Sequence, residues 1–579
     1  IYTLSLHDAL PIYRAVRVWA PHAAAIELWL DGSRHAMRRE PCGWWGGSAA
    51  GAAWDADYGF LVDGEGPFPD PRSAWQPHGV HGLSRPVDHA RFRWTDGRWQ
   101  APPLSSAVIY ELHVGTFTPE GVFGAAAGKL GHLVDLGVTH VELMPVCEFS
   151  GPWGWGYDGV DLYAPHHAYG GPEGLKRLVN ACHEAGLGVL LDVVYNHLGP
   201  AGNYLSRFGP YFSKRYHTPW GDAVNLDGAG SPEVRRFFCD NALMWLRDYH
   251  FDGLRIDAVH ALVDTSAVHF LEQLAAEVRG LEAETGRHLV VIAESDMNDP
   301  RIIRAPEVGG YGLDAQWSDD FHHALHAALT GERNGYYADF GTLDDVVKAV
   351  THGFVYDGRY SAYRDRRHGR PLGGISGWQL VGSLQNHDQV GNRARGERMS
   401  HLVNAARLKA GAAILLTAPF VPMLFQGEEW GARTPFLYFT QHEDPALALA
   451  VSVGRRGEFA AFGWKPEDVP DPQSRGTFEG SKLDWGEPGS AAGAELLDWH
   501  HRLIRLRRAI PALSDGRLDK VRATAKDGLF EMRRGPVRVA ANLGREAVKL
   551  EMDGGEAVLA GAGPELPPDG VAVLGRTAD

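Results

Sequence analysis

From residue 108 onward, short and nearly continuous apolar runs alternate with longer stretches in which apolar residues recur at helical spacing. The apolar runs fall at 108–117, 140–146, 188–195, 253–259, 289–294, 313–317, 380–384 and 421–425. Helical spacing covers 123–136, 172–185, 231–249, 264–284 and 399–416. Ser231 reads as the cap of its helix, with Pro232 at the first helical position. Strands that are apolar on both faces belong to parallel sheets covered by crossover helices. Eight such units predict an α/β fold, a closed (β/α)8 TIM barrel.

The flanks follow a different rhythm. Three short alternating runs, Ala15–Trp19, Ile26–Leu30 and Tyr58–Val62, are separated by Gly, Pro and Asp turn signals. They predict an N-terminal β-sandwich domain over 13–95. At the other end a helix at 495–508 precedes short alternating runs at 530–532, 537–539 and 548–550. These predict a small C-terminal β domain over 511–579, which leaves 96–510 for the barrel. The Gly-, Pro- and Tyr-rich segment 198–228 has no helical period and is expected to form a lobe inserted after the third strand. Residues 1–12, IYTLSLHDALPI, lack a basic region and a small-residue cleavage site, so they do not read as a signal peptide. They resemble a translated sequencing-adapter fragment and are expected to be non-native.

Composition narrows the possible partners. At 579 residues the chain exceeds one compact core. A net charge of −16 argues against a nucleic-acid partner and fits a neutral or cationic small-molecule substrate. Cys42, Cys147, Cys182 and Cys239 are scattered, with no Cys-x-x-Cys pair, so neither a zinc site nor a disulfide framework is read and a cytoplasmic location is expected. No run reaches membrane-spanning length; the most apolar, 410–425, is broken by Pro419 and Pro422. No calcium-loop pattern occurs, and neither a metal nor a cofactor is called. The basic run 364–370 reads as a solvated loop.

Chemistry in such a barrel gathers where strands end and loops begin. The third run carries Asp192, followed by Asn196 and His197. On the fourth, Arg255 and Asp257 are two apart and so share a face, a cation beside an anion that favours the ionised acid. The fifth ends in Glu294, and the seventh leads to Asn386, His387 and Asp388. Any one of these could be a cap or a structural ion pair; together they mark an active site. Trp153, Trp155 and Tyr157 cluster on the loop after the second strand, where aromatic faces suit glucose rings, and Trp220 in the inserted lobe could form the facing wall. Plain packing is the competing reading of these rings.

In order and spacing, 192–197, 253–257, Glu294 and 386–388 resemble the four signature regions of the α-amylase family of glycoside hydrolases. The resemblance implies that Asp257 is the nucleophile, Glu294 the general acid/base and Asp388 a third carboxylate that stabilises the transition state. It further implies that Arg255 holds Asp257 ionised, that His197 and His387 bind sugar hydroxyls, that Tyr157 stacks on the sugar and that Asp192 orients its neighbours. A retaining glycosidase needs two carboxyls about 5–5.5 Å apart. Adjacent strands lie about 4.8 Å apart, which suits Asp257 and Glu294. Burial and neighbouring anions would keep Glu294 protonated for acid catalysis. No step needs a cofactor.

Where the family commonly has Lys-His after the nucleophile, this chain has His260 and Ala261. That departure fits a subfamily. The segments 70–77, 78–82, 216–221, 293–299, 386–393 and 427–431 resemble members that release trehalose from the end of a malto-oligosyl chain. This likeness adds Asp320, His322, His323, His260, Gln389 and Asn392 to the candidate substrate contacts, and it implies a trehalose-forming synthase acting upstream. Neighbours on a helix point apart, which argues against His322 and His323 as a metal pair; a solvated helix start is their bland alternative. Two competitors stay open: a glucan branching or debranching enzyme, told apart by its products, and a non-catalytic glucan-binding protein, which would have no need of three acids.

Overall fold

Eight parallel strands close into a barrel in the computed structural model, which describes residues 15–49, 53–458 and 464–576. The strands are β1 (Ile109–Leu112), β2 (His140–Leu143), β3 (Gly188–Val193), β4 (Gly253–Ile256), β5 (Val290–Ala293), β6 (Ala315–Trp317), β7 (Leu380–Ser383) and β8 (Val421–Phe425). Each pairs with the next, and β8 pairs with β1, so no edge is left open. The expected barrel is thus present, with each strand inside its predicted run. Segment 1–12, expected to be foreign, lies outside the described residues.

Strand periodicity explains what the barrel holds. Residues two apart share a face. Ile109, Leu190, Val290, Ile292, Ala315, Trp317, Val381, Val421 and Met423 belong to one buried cluster that plugs the barrel's interior. One step further along the same inward faces come Glu111 on β1, Asp192 on β3 and Glu294 after β5. Gly253 begins β4 on this face, followed by Arg255 and Asp257. A Cβ at Gly253 would lie 2.4 Å from Val290 Cγ2, so a side chain there would have no room beneath Arg255. The alternate residues, including Leu191, Leu254, Ile256 and Val291, join the larger core under the helices. The inward face therefore changes from apolar to ionisable toward the C-terminal mouth.

Several helix bounds differ from expectation, each for a local reason. Ser231 is not the cap of Ser231–Asp248; Gly230, at φ 81°, is. The helix expected from 264 begins at Phe270, because Asp264 is drawn aside to Arg235 and accepts from the Phe270 N–H at 2.6 Å. The helix expected over 399–416 is broken: Asn404 starts a new one, Ala405–Thr417, by accepting from the Arg407 N–H at 2.9 Å.

Two sheets, of three and four strands, form the N-terminal sandwich. Arg72, in the 70–77 segment, ties it to the barrel by donating to Asp240 at 2.8 Å and Tyr163 at 3.0 Å. The lobe after β3 carries a short helix, Leu205–Phe208, and a hairpin of Phe212–Thr218 with Gly221–Val224. The C-terminal region forms a five-stranded sheet and a small two-stranded one. All four cysteines are free. Among the described residues, no helix is long and apolar enough to cross a membrane.

Candidate active site

The mouth of the barrel is organised by Arg255. Its side chain is fully buried, and its guanidinium lies 4.1 Å over the Trp317 ring. Nη1 donates at 2.8 Å to both carboxylate oxygens of Asp192, its register partner on β3, and at 2.8 Å to Asp257 Oδ1. Nη2 is 3.8 Å from Glu294 Oε2. One cation thus lies among three acids that are far apart in sequence.

Asp257 and Glu294 occupy the register step just beyond the paired Ile256 and Ala293. The ladder continues through them: the Asp257 N–H donates to Val193 O at 3.0 Å, and the Glu294 N–H donates to Ile256 O at 2.9 Å. Immediately afterwards Ala258 takes φ 40°, in the left-handed region that non-glycine residues seldom adopt. That turn aims its N–H at Glu294 Oε2, 2.5 Å away. Burial is the main reason that the Glu294 carboxyl is held well above the ordinary glutamate range. Asp257, Asp319 and Asp388 push it the same way against the pull of Arg255. Glu294 is therefore poised as an acid.

Asp388 reaches the site from a different element. Past β7 the chain does not continue as strand but turns into a short helix, His387–Gly391, capped by Asn386, whose side chain accepts from the Gln389 N–H at 2.9 Å. Asp388 stands in its first turn, 39% exposed and 3.5 Å from His387 Nε2. Asn392 donates to Asp388 at 3.3 Å and accepts from Arg455 at 3.0 Å. His387 is buried between Tyr157, whose hydroxyl is 2.7 Å from its Nε2, and Glu111, which accepts from its backbone N–H at 3.0 Å. Burial works against a charged imidazole here, but Asp388 and Glu111 outweigh it and lift the pKa of His387 to about 9. Tyr157 also donates to Asp192 at 2.5 Å. The Asp192 carboxyl is pushed up to about 6, by burial first, with Arg255 opposing and Asp257 adding.

The aromatic candidates separate. Trp220, at the lobe's hairpin, is 47% exposed and stacks on the His197 ring at 4.9 Å and 8°. Its exposure leaves the indole available as a wall. Burial shifts the His197 pKa downward, so this ring is neutral. Trp155, by contrast, is packed in the core: it stacks on Phe436 at 5.2 Å, donates to Leu437 O and meets His387 edge-on at 5.7 Å. It buttresses His387 and offers no free face. Trp153 is half-buried and parallel to Phe478 at 5.8 Å.

The 320–323 segment departs from expectation. Asp320 is buried and accepts from the Val355 N–H at 2.6 Å, the Tyr356 N–H at 2.7 Å and Asn298 Nδ2 at 2.7 Å. It pins backbone through Oδ2. His322 and His323 are not a solvated helix start; both are buried, His322 bonding Tyr337 at 2.9 Å and His323 stacking on Tyr336 at 5.0 Å. Their neighbour Asp319, which sequence reasoning missed, bears on Glu294 by its charge. Burial, then Asp296, Asp388 and Asp320, push its carboxyl up to about 7. His260 is exposed at the turn after Ala258.

Other missed residues lie close by. Glu111, one residue before the end of β1, satisfies the same strand-end criterion as Asp192. Arg364 belongs to the run taken as a solvated loop, but it pairs with Asp296 at 2.9 Å, two residues after Glu294. His368 holds the Asp296 carbonyl at 2.7 Å. The loop that follows the acid is thus clamped by a hairpin, Asp357–Ser361 with Arg366–Gly369.

Asp319 supplies a prediction. Its negative charge raises the Glu294 pKa, so Asp319→Asn should lower it and move the alkaline limb of kcat/KM to lower pH. Paired pH–rate profiles test this; an unmoved or upward-shifted limb contradicts it.

A parallel barrel with such a cluster at its C-terminal mouth agrees with what known proteins show. The chain matches the family model "Alpha amylase, catalytic domain" over residues 91–217. It superposes on a crystal structure from Salmonella typhimurium that bears a provisional alpha-amylase name, with a TM-score of 0.91, 37% identity and 98% of each chain covered. It is 52% identical to the malto-oligosyltrehalose trehalohydrolase of Arthrobacter ramosus, across 97% of this chain and 99% of that protein. It is 48% identical to the Rhizobium sp. (strain M-11) protein of the same name, with 98% of each covered. Fold and site define a glycoside hydrolase of the α-amylase class. Within that class, likeness over nearly the whole length decides membership, and the chain belongs to the malto-oligosyltrehalose trehalohydrolase family.

Proposed function

We propose that this chain hydrolyses the α-1,4-glucosidic bond next to the terminal trehalose of maltooligosyltrehalose, with retention, releasing trehalose and a malto-oligosaccharide. The observation that carries the reading is the contact of one buried guanidinium with Asp192 and Asp257, with Glu294 3.8 Å away. The names of the full-length relatives support the substrate.

Asp257, ionised beside Arg255, attacks the anomeric carbon as Glu294 gives its proton to the departing glycosidic oxygen. Water then attacks the glycosyl ester while Glu294 takes the water's proton, and Asp257 leaves as carboxylate. Asp388, at the rim beside His387, bears on the positive charge that develops at the sugar ring. Tyr157, His197 and Trp220 hold the ring being cut, and Gln389 and Asn392 line the same rim. Asp192 and His387 act through Tyr157 and Arg255.

The same reading divides the chain at 13–95, 96–510 and 511–579, supported by sheets that each lie within one of those limits. It puts the protein in the cytoplasm, supported by four unpaired cysteines. An enzyme that forms the trehalose end of the substrate acts before it.

Incubation with maltooligosyltrehalose, followed by chromatography and by proton NMR of the first-formed anomer, tests the reading. Free trehalose and an α-anomeric malto-oligosaccharide are expected. A β-anomer contradicts the double displacement, and new or lost α-1,6 branches on glycogen without trehalose release would make the chain a branching or debranching enzyme.

A further inference from the structure

The loop that carries Trp153, Trp155 and Tyr157 runs between two antiparallel strands, Cys147–Phe149 and Gly159–Pro165. At the base of that hairpin, outside the acid cluster, Glu148 meets His166 and His167. One donor atom from each lies within 4.8 Å of the others. Glu148 and His166 are wholly buried, and the His167 side chain is 32% exposed.

The geometry around His166 is not that of a hydrogen bond. Its Nδ1 is 3.2 Å from Glu148 Oε1, yet neither ring nitrogen has a hydrogen-bond partner. Burying an imidazole in that state is costly. Donors that lie side by side without facing each other suit a common third point: ligands about 2.0–2.1 Å from a tetrahedral zinc ion stand about 3.3 Å apart. His167 Nδ1 hydrogen-bonds the same Glu148 oxygen at 2.6 Å, a contact that a bound cation would open toward that ligand spacing, and the His167 N–H holds Oε2 at 2.8 Å, which fixes the carboxylate's orientation. Asp161, the register partner of Glu148, adds a buried oxygen with no hydrogen-bond partner.

We propose that Glu148, His166 and His167 form a binding site for a zinc-class divalent cation that clamps the base of the Tyr157 loop. Two imidazoles and one carboxylate suit zinc, whereas calcium and magnesium favour all-oxygen sets. The half-exposed His167 side leaves a path for entry and for a water as fourth ligand. The clamp would hold loop geometry and touch no reacting atom. It does not depend on the proposed substrate.

Untagged full-length protein, stripped with chelator, is titrated with Zn²⁺ alone by calorimetry and with Co²⁺ alone by visible absorption. Stoichiometric Zn²⁺ binding is expected, with a raised unfolding temperature and the intense cobalt bands of a four-coordinate site. His167→Gln and His166→Gln should each weaken Zn²⁺ binding at least about tenfold. Circular dichroism checks that both variants are folded, and His167, being half-exposed, is the safer of the two. Absence of stoichiometric Zn²⁺ binding to the stripped wild type overturns the site. So does unchanged affinity in a folded His167→Gln protein, which would put the cation elsewhere.

Discussion

Asp257→Asn and Glu294→Gln are each expected to cut turnover by about 10²–10⁴-fold or more while leaving the chain folded. Asn is nearly the same size as Asp but offers no anion to attack the anomeric carbon. Arg255 would keep its two bonds to Asp192, so the barrel mouth should not collapse. Gln at 294 can still accept from the Ala258 N–H but cannot deliver a proton to the leaving oxygen. Trehalose release from maltooligosyltrehalose measures the first effect; near-ultraviolet circular dichroism and thermal unfolding measure the second. Wild-type-like release by either variant would remove these residues from the chemistry.

Arg255→Ala should be costly for both stability and turnover. It removes the guanidinium that lies among Asp192, Asp257 and Glu294. Taking one partner out of a buried ion pair costs about 3–5 kcal/mol, because the remaining charge stays desolvated. Asp192 is pushed up to about 6 even with Arg255 opposing that shift, and without it Asp192 would hold its proton to higher pH. An Asp257 carboxylate that has lost its Arg255 contact is no longer held in place, so kcat should fall. Arg255→Lys should fall between, since a single ammonium cannot span Asp192, Asp257 and Trp317 as the planar guanidinium does. Denaturation midpoints and pH–rate profiles of the two variants are the measurements. Near-wild-type stability in Arg255→Ala would mean that the acids are not held by this cation.

Much of the barrel was legible because its signals are local. Apolar runs of strand length announced β1 to β8, and the alternation at 254–257 put Arg255 and Asp257 on one face. Helix starts were harder. Ser231 has the chemistry of a cap, but Gly230 takes that place, and Asp264 is claimed by Arg235 before it can start a helix. Within the site, the acids at or just past strand ends stand out in the sequence, whereas Asp319, at the start of a longer helix, does not. Asp319 and Asp320 are neighbours of one residue type, and only the direction of the helix decides that one faces the acid cluster while the other ties down the 355–356 backbone. Trp153, Trp155 and Trp220 posed the same problem, since an indole on a loop serves equally as platform or as core.

The amino-acid sequence alone determined the eight-unit barrel and the flanking β regions, because periodicity is a property of short segments; the choice of Asp257, Glu294 and Asp388 among the strand-end acids rested on likeness to the α-amylase family. Only the tertiary structure decided that Arg255 lies among three acids, that Glu111 stands behind His387, that Arg364 reaches Asp296 and that His166 is buried without a hydrogen-bond partner. Those are relations between distant segments, set by barrel closure and by which faces the helices bury, and no local pattern encodes them.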